Sequence, residues 1–167
     1  RLRRALLCSL AGGPALGHGA PPQSPRVPIL AFHRFANTVQ DSMTVRIATF
    51  EAQLRLLESL SCRVIPLSTW VAWRLAKSQG EDLPLPPRAV VLTADDGHRS
   101  QFEVMAPRLR ERGWPVTLFI YPSAISNATY AMTWAQLREL AAGTQVIVQS
   151  HTYWHPDLVR ERRRMTP

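Results

Sequence analysis

Asp95 and Asp96 stand side by side before Gly97, and His151 and His155 stand four apart before Pro156. Two neutral imidazoles and one carboxylate fill three positions on a zinc-like ion and leave a fourth open for water. The second carboxylate is then spare. It suits a general base that takes a proton from a water whose pKa the ion has drawn toward ~7. The ion also polarises the carbonyl under attack and helps carry the oxyanion. This is the chemistry of metal-assisted amide hydrolysis. Each half alone has a plainer explanation, since Asp and Gly make turns and single histidines are common in cores and at surfaces. The two halves together favour a site.

The elements that must position these groups alternate in type. Ile29 to Phe32 reads as a short buried strand ending at His33, and Phe50, Leu54 and Leu57 recur at helical spacing. Val64-Ile65 is a brief strand, after which Ser68 is placed to cap a helix carrying Trp70, Val71 and Trp73. Ala89 to Thr93 is a continuous apolar run, typical of a strand buried on both faces. Phe102, Met105 and Leu109 form a helical stripe that Pro107 kinks or restarts. Val116 to Ile120 is the next strand. Thr133 to Gln136 is a capping box, Gly143 is placed to end its helix, and Val146 to Val148 is the last strand. Trp70, Trp73 and Trp134 are expected in the core, as is at least one of Tyr153 and Trp154.

This rhythm predicts a parallel α/β architecture, either a barrel or a doubly wound sheet. In such folds the active site collects at the carboxyl ends of the strands. His33, the Asp95-Asp96 pair, Tyr121, and His151 with His155 each follow a predicted strand. Pro156 disfavours helical geometry at His155. The histidine pair is therefore expected on a strand end and the turn after it.

Composition narrows the class. The chain has 167 residues, enough for one domain and one core, and at 46% hydrophobic and 19% charged it is not a disordered chain. A net charge of +8 invites a nucleic-acid reading. The arginines argue against it, because they cluster at the ends (Arg1, Arg3 and Arg4; Arg160 and Arg162 to Arg164) and form no stripe between. No nucleic-acid partner is expected. Residues 1–20 read as an export signal, with a basic start, an apolar stretch from Ala5 to Leu16 and a small-residue exit. That stretch is too short to span a bilayer, so no stable membrane span is expected in the mature chain. Residues 21–28 form a Pro-rich linker and 29–167 the domain. Cys8 falls in the signal, which leaves Cys62 alone and no intrachain disulfide.

Thr93-Ala94-Asp95-Asp96-Gly97 resembles the Thr-Phe-Asp-Asp-Gly motif of the polysaccharide deacetylases, carbohydrate esterase family 4 with the NodB-homology domain. Ser150-His151-Thr152-Tyr153-Trp154-His155-Pro156 is similar to that family's His-Ser/Thr-x-x-His-Pro motif. The resemblance runs from about Pro28 to Leu158 and implies a distorted (β/α) barrel. It also implies Asp95 as catalytic base, with Asp96, His151 and His155 as ligands of a divalent metal. Zinc suits that donor set, as do cobalt and nickel. The implied reaction is hydrolysis of N-acetyl groups on an N-acetylglucosamine-containing polysaccharide. Phe32 to Phe35 and Tyr121 to Ile125 look most like the bacterial branch acting on cell-envelope or biofilm glycans, which includes poly-β-1,6-N-acetylglucosamine deacetylases. The expected location is periplasmic, extracellular or at the cell envelope.

His33, Tyr121 and Trp154 are the candidates for contact with substrate. His33 and His98 are the candidates to protonate a leaving amine, although a structural or solvated histidine is the plainer reading of both. Ala94 departs from the family's Phe without removing a catalytic group. The family's later motifs, Arg-x-Pro-Tyr and Leu-x-His among them, do not occur before Pro167, so an incomplete barrel is expected. Two alternatives stay open: a glycan-binding or scaffold relative without catalysis, and a metal hydrolase acting on a non-glycan amide.

Overall fold

The computed structural model describes residues 26–165. The expected export signal, and all of the linker before Arg26, lie outside the described residues. Three short strands come first: β1 (Ile29–Phe32), β2 (Arg34–Ala36) and β3 (Thr44–Arg46). Then follow α1 (Ile47–Ser59), β4 (Arg63–Val64), α2 (Leu67–Ser78) and β5 (Ala89–Asp95). A π-helical turn (Gln101–Met105) leads into α3 (Ala106–Glu111), β6 (Val116–Ile120), α4 (Trp134–Ala141), β7 (Val146–Ser150) and α5 (Leu158–Met165).

β5 is the axis of the fold. It pairs in parallel with β1 and β6, β6 pairs in parallel with β7, and β4 joins the start of β5. Every β5 residue from Ala89 to Ala94 is buried, which is why the sequence there is unbroken Ala, Val, Leu and Thr. Its side chains alternate between two clusters. Val90, Leu92 and Ala94 join the main core with α1, α3 and α4, while Ala89 and Val91 pack with Ile65, Leu67 and Trp70. Helices on a parallel sheet make this an α/β fold, and the five strands among the described residues form an open sheet, as expected of an incomplete (β/α) barrel.

Several elements follow from local sequence. Phe50, Leu54 and Leu57 are the buried stripe of α1. Thr133 accepts from the Gln136 backbone N–H at 3.2 Å while Gln136 Oε1 accepts from the Thr133 backbone N–H at 2.9 Å, so the capping box is complete. Pro107 sits in the first turn of α3, where its missing N–H costs nothing, and the π-helical turn ends just before that helix.

Other expectations need correction. Ser68 does not cap α2; the helix begins at Leu67 with Pro66 as its N-terminal flank, because the extended Pro66 (ψ 145°) already sets the chain's entry. Trp134 is 40% exposed, since it occupies the first position of α4, outside that helix's buried Leu137 and Leu140 stripe. Tyr153 and Trp154 are both exposed and contact each other edge to face, so neither is core. The ribbon of β2 and β3 was not expected. Asp41 builds it: its Oδ1 accepts from the Met43 N–H at 3.0 Å and the Thr44 hydroxyl at 2.9 Å, and its Oδ2 lies 3.2 Å from Arg34. Phe35, between Phe32 and Phe50 in an aromatic cluster, fixes the ribbon to the core.

Candidate metal centre

The polar residues sit where the strands end. His33 follows β1, Asp95 closes β5, Asp96 comes next, Tyr121 follows β6 and His151 follows β7. β6 acts as a common ruler for β5 and β7, the strands on either side of it. Its Phe119 carbonyl accepts from the Asp96 N–H at 3.0 Å, and its Ile120 carbonyl accepts from the His151 N–H at 2.9 Å. Asp96 and His151 thus leave the sheet one residue apart in level, on either side of β6, and their side chains converge.

His155 arrives by a tight turn. Thr152 (φ 65°) and His155 (φ 56°) are both left-handed, and the His155 N–H donates to Thr152 Oγ1 at 3.1 Å. A β-branched residue in that region is strained. Asp96 is left-handed too, at φ 75°. Such residues persist where the surrounding structure over-determines them, and they cluster at functional sites. Gly97 continues the Asp96 turn at φ 71°; a Cβ there would meet Ile125 Cδ1 at 2.9 Å. Only glycine fits without displacing that buried isoleucine.

The outcome is a three-residue cluster. Asp96 Oδ1 lies 3.7 Å from Nε2 of both His151 and His155, and all three donor atoms fall within 4.8 Å of one another. A tetrahedral ion with ligands at about 2.0–2.1 Å spaces its ligand atoms roughly 3.3 Å apart. The two Asp96–histidine spacings are a few tenths of an ångström wider, and the set as a whole, within 4.8 Å, is looser than that. Asp96 Oδ1 is buried and makes no hydrogen bond among the described residues. A buried carboxylate oxygen without a donor is costly, and a cation between it and the two imidazoles removes that cost. The donor set fits a divalent metal ion.

Asp95 stays outside this cluster. Its Oδ2 lies 3.9 Å from His33 Nε2, and burial pushes its carboxyl pKa up against the opposing pull of His151 and His33. One carboxylate faces the two imidazoles and its neighbour stands apart. Asp95 is the last residue of β5 while Asp96 already turns at φ 75°, so the two side chains leave the backbone in different directions at the same strand end.

Gln101 is the participant that sequence reasoning missed. Fully buried in the π-helical turn, its Nε2 donates to the His33 carbonyl at 2.8 Å and to the Asp95 carbonyl. It ties the end of β1 to the end of β5, and π-helical turns recur at functional sites. A polar residue within an apolar helical stripe was the available signal. Gln101→Leu is expected to destabilise the fold by about 1 kcal/mol, because two carbonyls lose their donor while the buried Gln101 Oε1, unpartnered among the described residues, is removed as well. Urea unfolding checks this; a midpoint that does not move would leave the bridge without energetic weight.

His33, Asp96 and Tyr121 line one cleft of about 240 Å³ with Arg34, His98 and Tyr130. The Tyr121 hydroxyl meets that of Tyr130, and burial with this contact pushes the Tyr121 pKa up. Trp154 does not line that cleft; it projects from the histidine turn, 63% exposed.

Fold and site together define an α/β protein with a candidate metal centre at the strand ends. The polysaccharide deacetylase family model matches residues 82–166, and the chain belongs to that family. It is 25% identical over 140 residues to the poly-beta-1,6-N-acetyl-D-glucosamine N-deacetylase of Escherichia coli (strain K12), covering 74% of this chain and 20% of that protein. The chain thus spans only a small part of that relative. Among solved structures it is similar to IcaB from Ammonifex degensii, with TM-score 0.66, 23% identity and coverage of 76% of this chain and 53% of that one. It is also similar to the Streptococcus pyogenes deacetylase PplD in complex with acetate, with TM-score 0.64, 25% identity and coverage of 79% and 58%. These neighbours share the α/β deacetylase fold, of which this chain carries a part.

Proposed function

We propose that this chain carries the metal-binding and base-bearing half of a polysaccharide N-deacetylase active site. The substrate class is an N-acetylglucosamine-containing glycan of the cell envelope or extracellular matrix. The observation that supports this most directly is the division of labour between neighbours: Asp96 Oδ1 faces two imidazoles while Asp95, beside His33, stays outside that cluster.

In this reading Asp96, His151 and His155 hold a divalent ion, with zinc the best match to two imidazoles and one carboxylate. When bound, the ion supplies a Lewis acid that polarises the acetamide carbonyl and makes water more acidic. Asp95 accepts the proton of the attacking water at its carboxylate. Burial raises the basicity of that carboxylate above that of one in free solution. Water's oxygen bonds to the carbonyl carbon, the C–N bond breaks as the proton taken by Asp95 passes to the departing nitrogen, and acetate and a sugar amine are the products. Gln101 keeps the backbone of Asp95 and His33 in register during this exchange. The polysaccharide assignment draws on the family and on the N-acetylglucosamine-polymer deacetylase of Escherichia coli. An exported protein fits that substrate, and no helix among the described residues is long and apolar enough to cross a membrane.

The test is release of acetate from an N-acetylglucosamine oligomer by the intact protein, before and after chelation and after return of zinc. We expect release that disappears with chelator and recovers with metal. Binding of the oligomer with no acetate at any metal would instead favour a glycan-binding relative. Release from non-glycan amides alone would favour a hydrolase of another substrate.

A further inference from the structure

Two residues after Asp96, and in the same cleft, His98 is held in a defined hydrogen-bonding state. His98 Nδ1 lies 3.1 Å from the Ser100 backbone nitrogen and 2.8 Å from Ser100 Oγ. A backbone N–H only donates, so Nδ1 is an acceptor. Ser100 Oγ itself accepts from the Phe35 N–H at 2.9 Å, which leaves the serine's own hydrogen free to point at Nδ1. With Nδ1 engaged as acceptor, the proton of the neutral ring sits on Nε2. That nitrogen has no protein partner among the described residues and is not among their buried unpartnered atoms, and His98 lines the cleft.

The ring is also held in place. It stacks on Tyr130 with centroids 6.1 Å apart and planes 12° from parallel. Two backbone bonds fasten the Tyr130 loop to the Gly97 turn, Arg99 N–H to Tyr130 O and Met132 N–H to Gly97 O, both at 2.9 Å, and a third, Ser126 N–H to Met132 O at 3.0 Å, closes the loop on itself. Tyr130 is 43% exposed and its hydroxyl meets that of Tyr121 across the cleft. The cleft's ~240 Å³ is small beside the ~300–1,000 Å³ of ordinary ligand pockets, which suits one sugar unit rather than several.

We propose that His98 is a specificity-determining residue for the sugar. Its Nε2–H, oriented by Ser100, donates to an acceptor oxygen of a pyranose seated in the cleft against Tyr130. A fixed donor in a cleft bordered by Arg34 suits hydroxyl, ring or carbonyl oxygens. The inference rests on the deacetylase reading only for which sugar reacts; the donor and the cleft stand without it.

The experiment compares wild type, His98→Phe and His98→Gln in the intact zinc-loaded protein on an N-acetylglucosamine oligomer. Phe keeps a ring against Tyr130 and removes the N–H. Gln places an amide N–H at a similar reach. For His98→Phe we expect KM to rise about 3–10-fold, the effect of one net hydrogen bond, with kcat within about twofold and metal content unchanged. For His98→Gln we expect KM within about threefold of wild type. An unchanged KM in His98→Phe, or a fall in kcat alone, overturns the proposal. Should the Phe variant not fold, His98→Ala takes its place with the same expectation on KM. Calorimetric titration of the same proteins with the oligomer reads binding without turnover. If wild type releases no acetate, the deacetylase reading fails, while a weaker Kd in His98→Phe that Gln restores still supports the donor.

Discussion

Replacing Asp95 by Asn is expected to lower acetate release by about 10²–10⁴-fold while leaving the metal content unchanged, the range for removing a positioned general base. Asn is nearly isosteric and keeps the backbone carbonyl that accepts from Gln101, so the strand end stays in place. It lacks only the basic oxygen. Asp95 lies outside the three-residue cluster, which is why metal binding should survive. Acetate release at saturating oligomer, with metal measured on the same sample, separates the alternatives. Unchanged turnover would assign the base elsewhere. Loss of metal would mean that Asp95 helps hold the ion.

Asp96→Asn should produce the opposite pattern. Metal affinity is expected to fall by more than the ~10–100-fold typical of losing an outer-shell partner, because a donor is weakened directly. Activity should fall with metal occupancy and recover in part at high zinc. Metal-free protein should behave differently again. Asp96 Oδ1 is a buried oxygen with no donor, so neutralising the side chain relieves a cost on the order of 1 kcal/mol. Asn tolerates the left-handed φ of 75° as well as Asp does, whereas Ala would add strain. Thermal unfolding with chelator should therefore show the variant at least as stable as wild type, and unfolding with zinc should show it less stable. A variant destabilised equally in both conditions would place Asp96 in the scaffold rather than at the metal.

Much of the frame was legible because its signals are local. Continuous apolar runs marked β1, β5, β6 and the start of β7, the i, i+4, i+7 stripe marked α1, and the Thr133 box marked the start of α4. Short elements held by distant partners were not. The ribbon of β2 and β3 has three residues per strand and depends on the Asp41 turn and on Phe35 entering an aromatic cluster. The helix start at Leu67, the exposure of Trp134 and the exposure of both Tyr153 and Trp154 were misread for a related reason. Residue type sets how much a side chain gains by burial, but neighbours decide whether burial is on offer.

The site divides along the same line. Sequence by itself determined which side chains stand at strand ends: Asp95 and Asp96 after one apolar run, and His151 and His155 around a turn that Pro156 keeps out of a helix. Strand periodicity and turn chemistry act over a few residues, so they are written in a few residues. Only the tertiary structure decided that Asp96 and not Asp95 faces the histidines. That follows from β6 lying between β5 and β7 and fastening both loop starts to its last carbonyls. Only the tertiary structure brought Gln101 under His33 and Asp95, and Tyr130 against the His98 ring. These contacts join residues whose proximity depends on how the sheet is ordered, and no local pattern encodes that order.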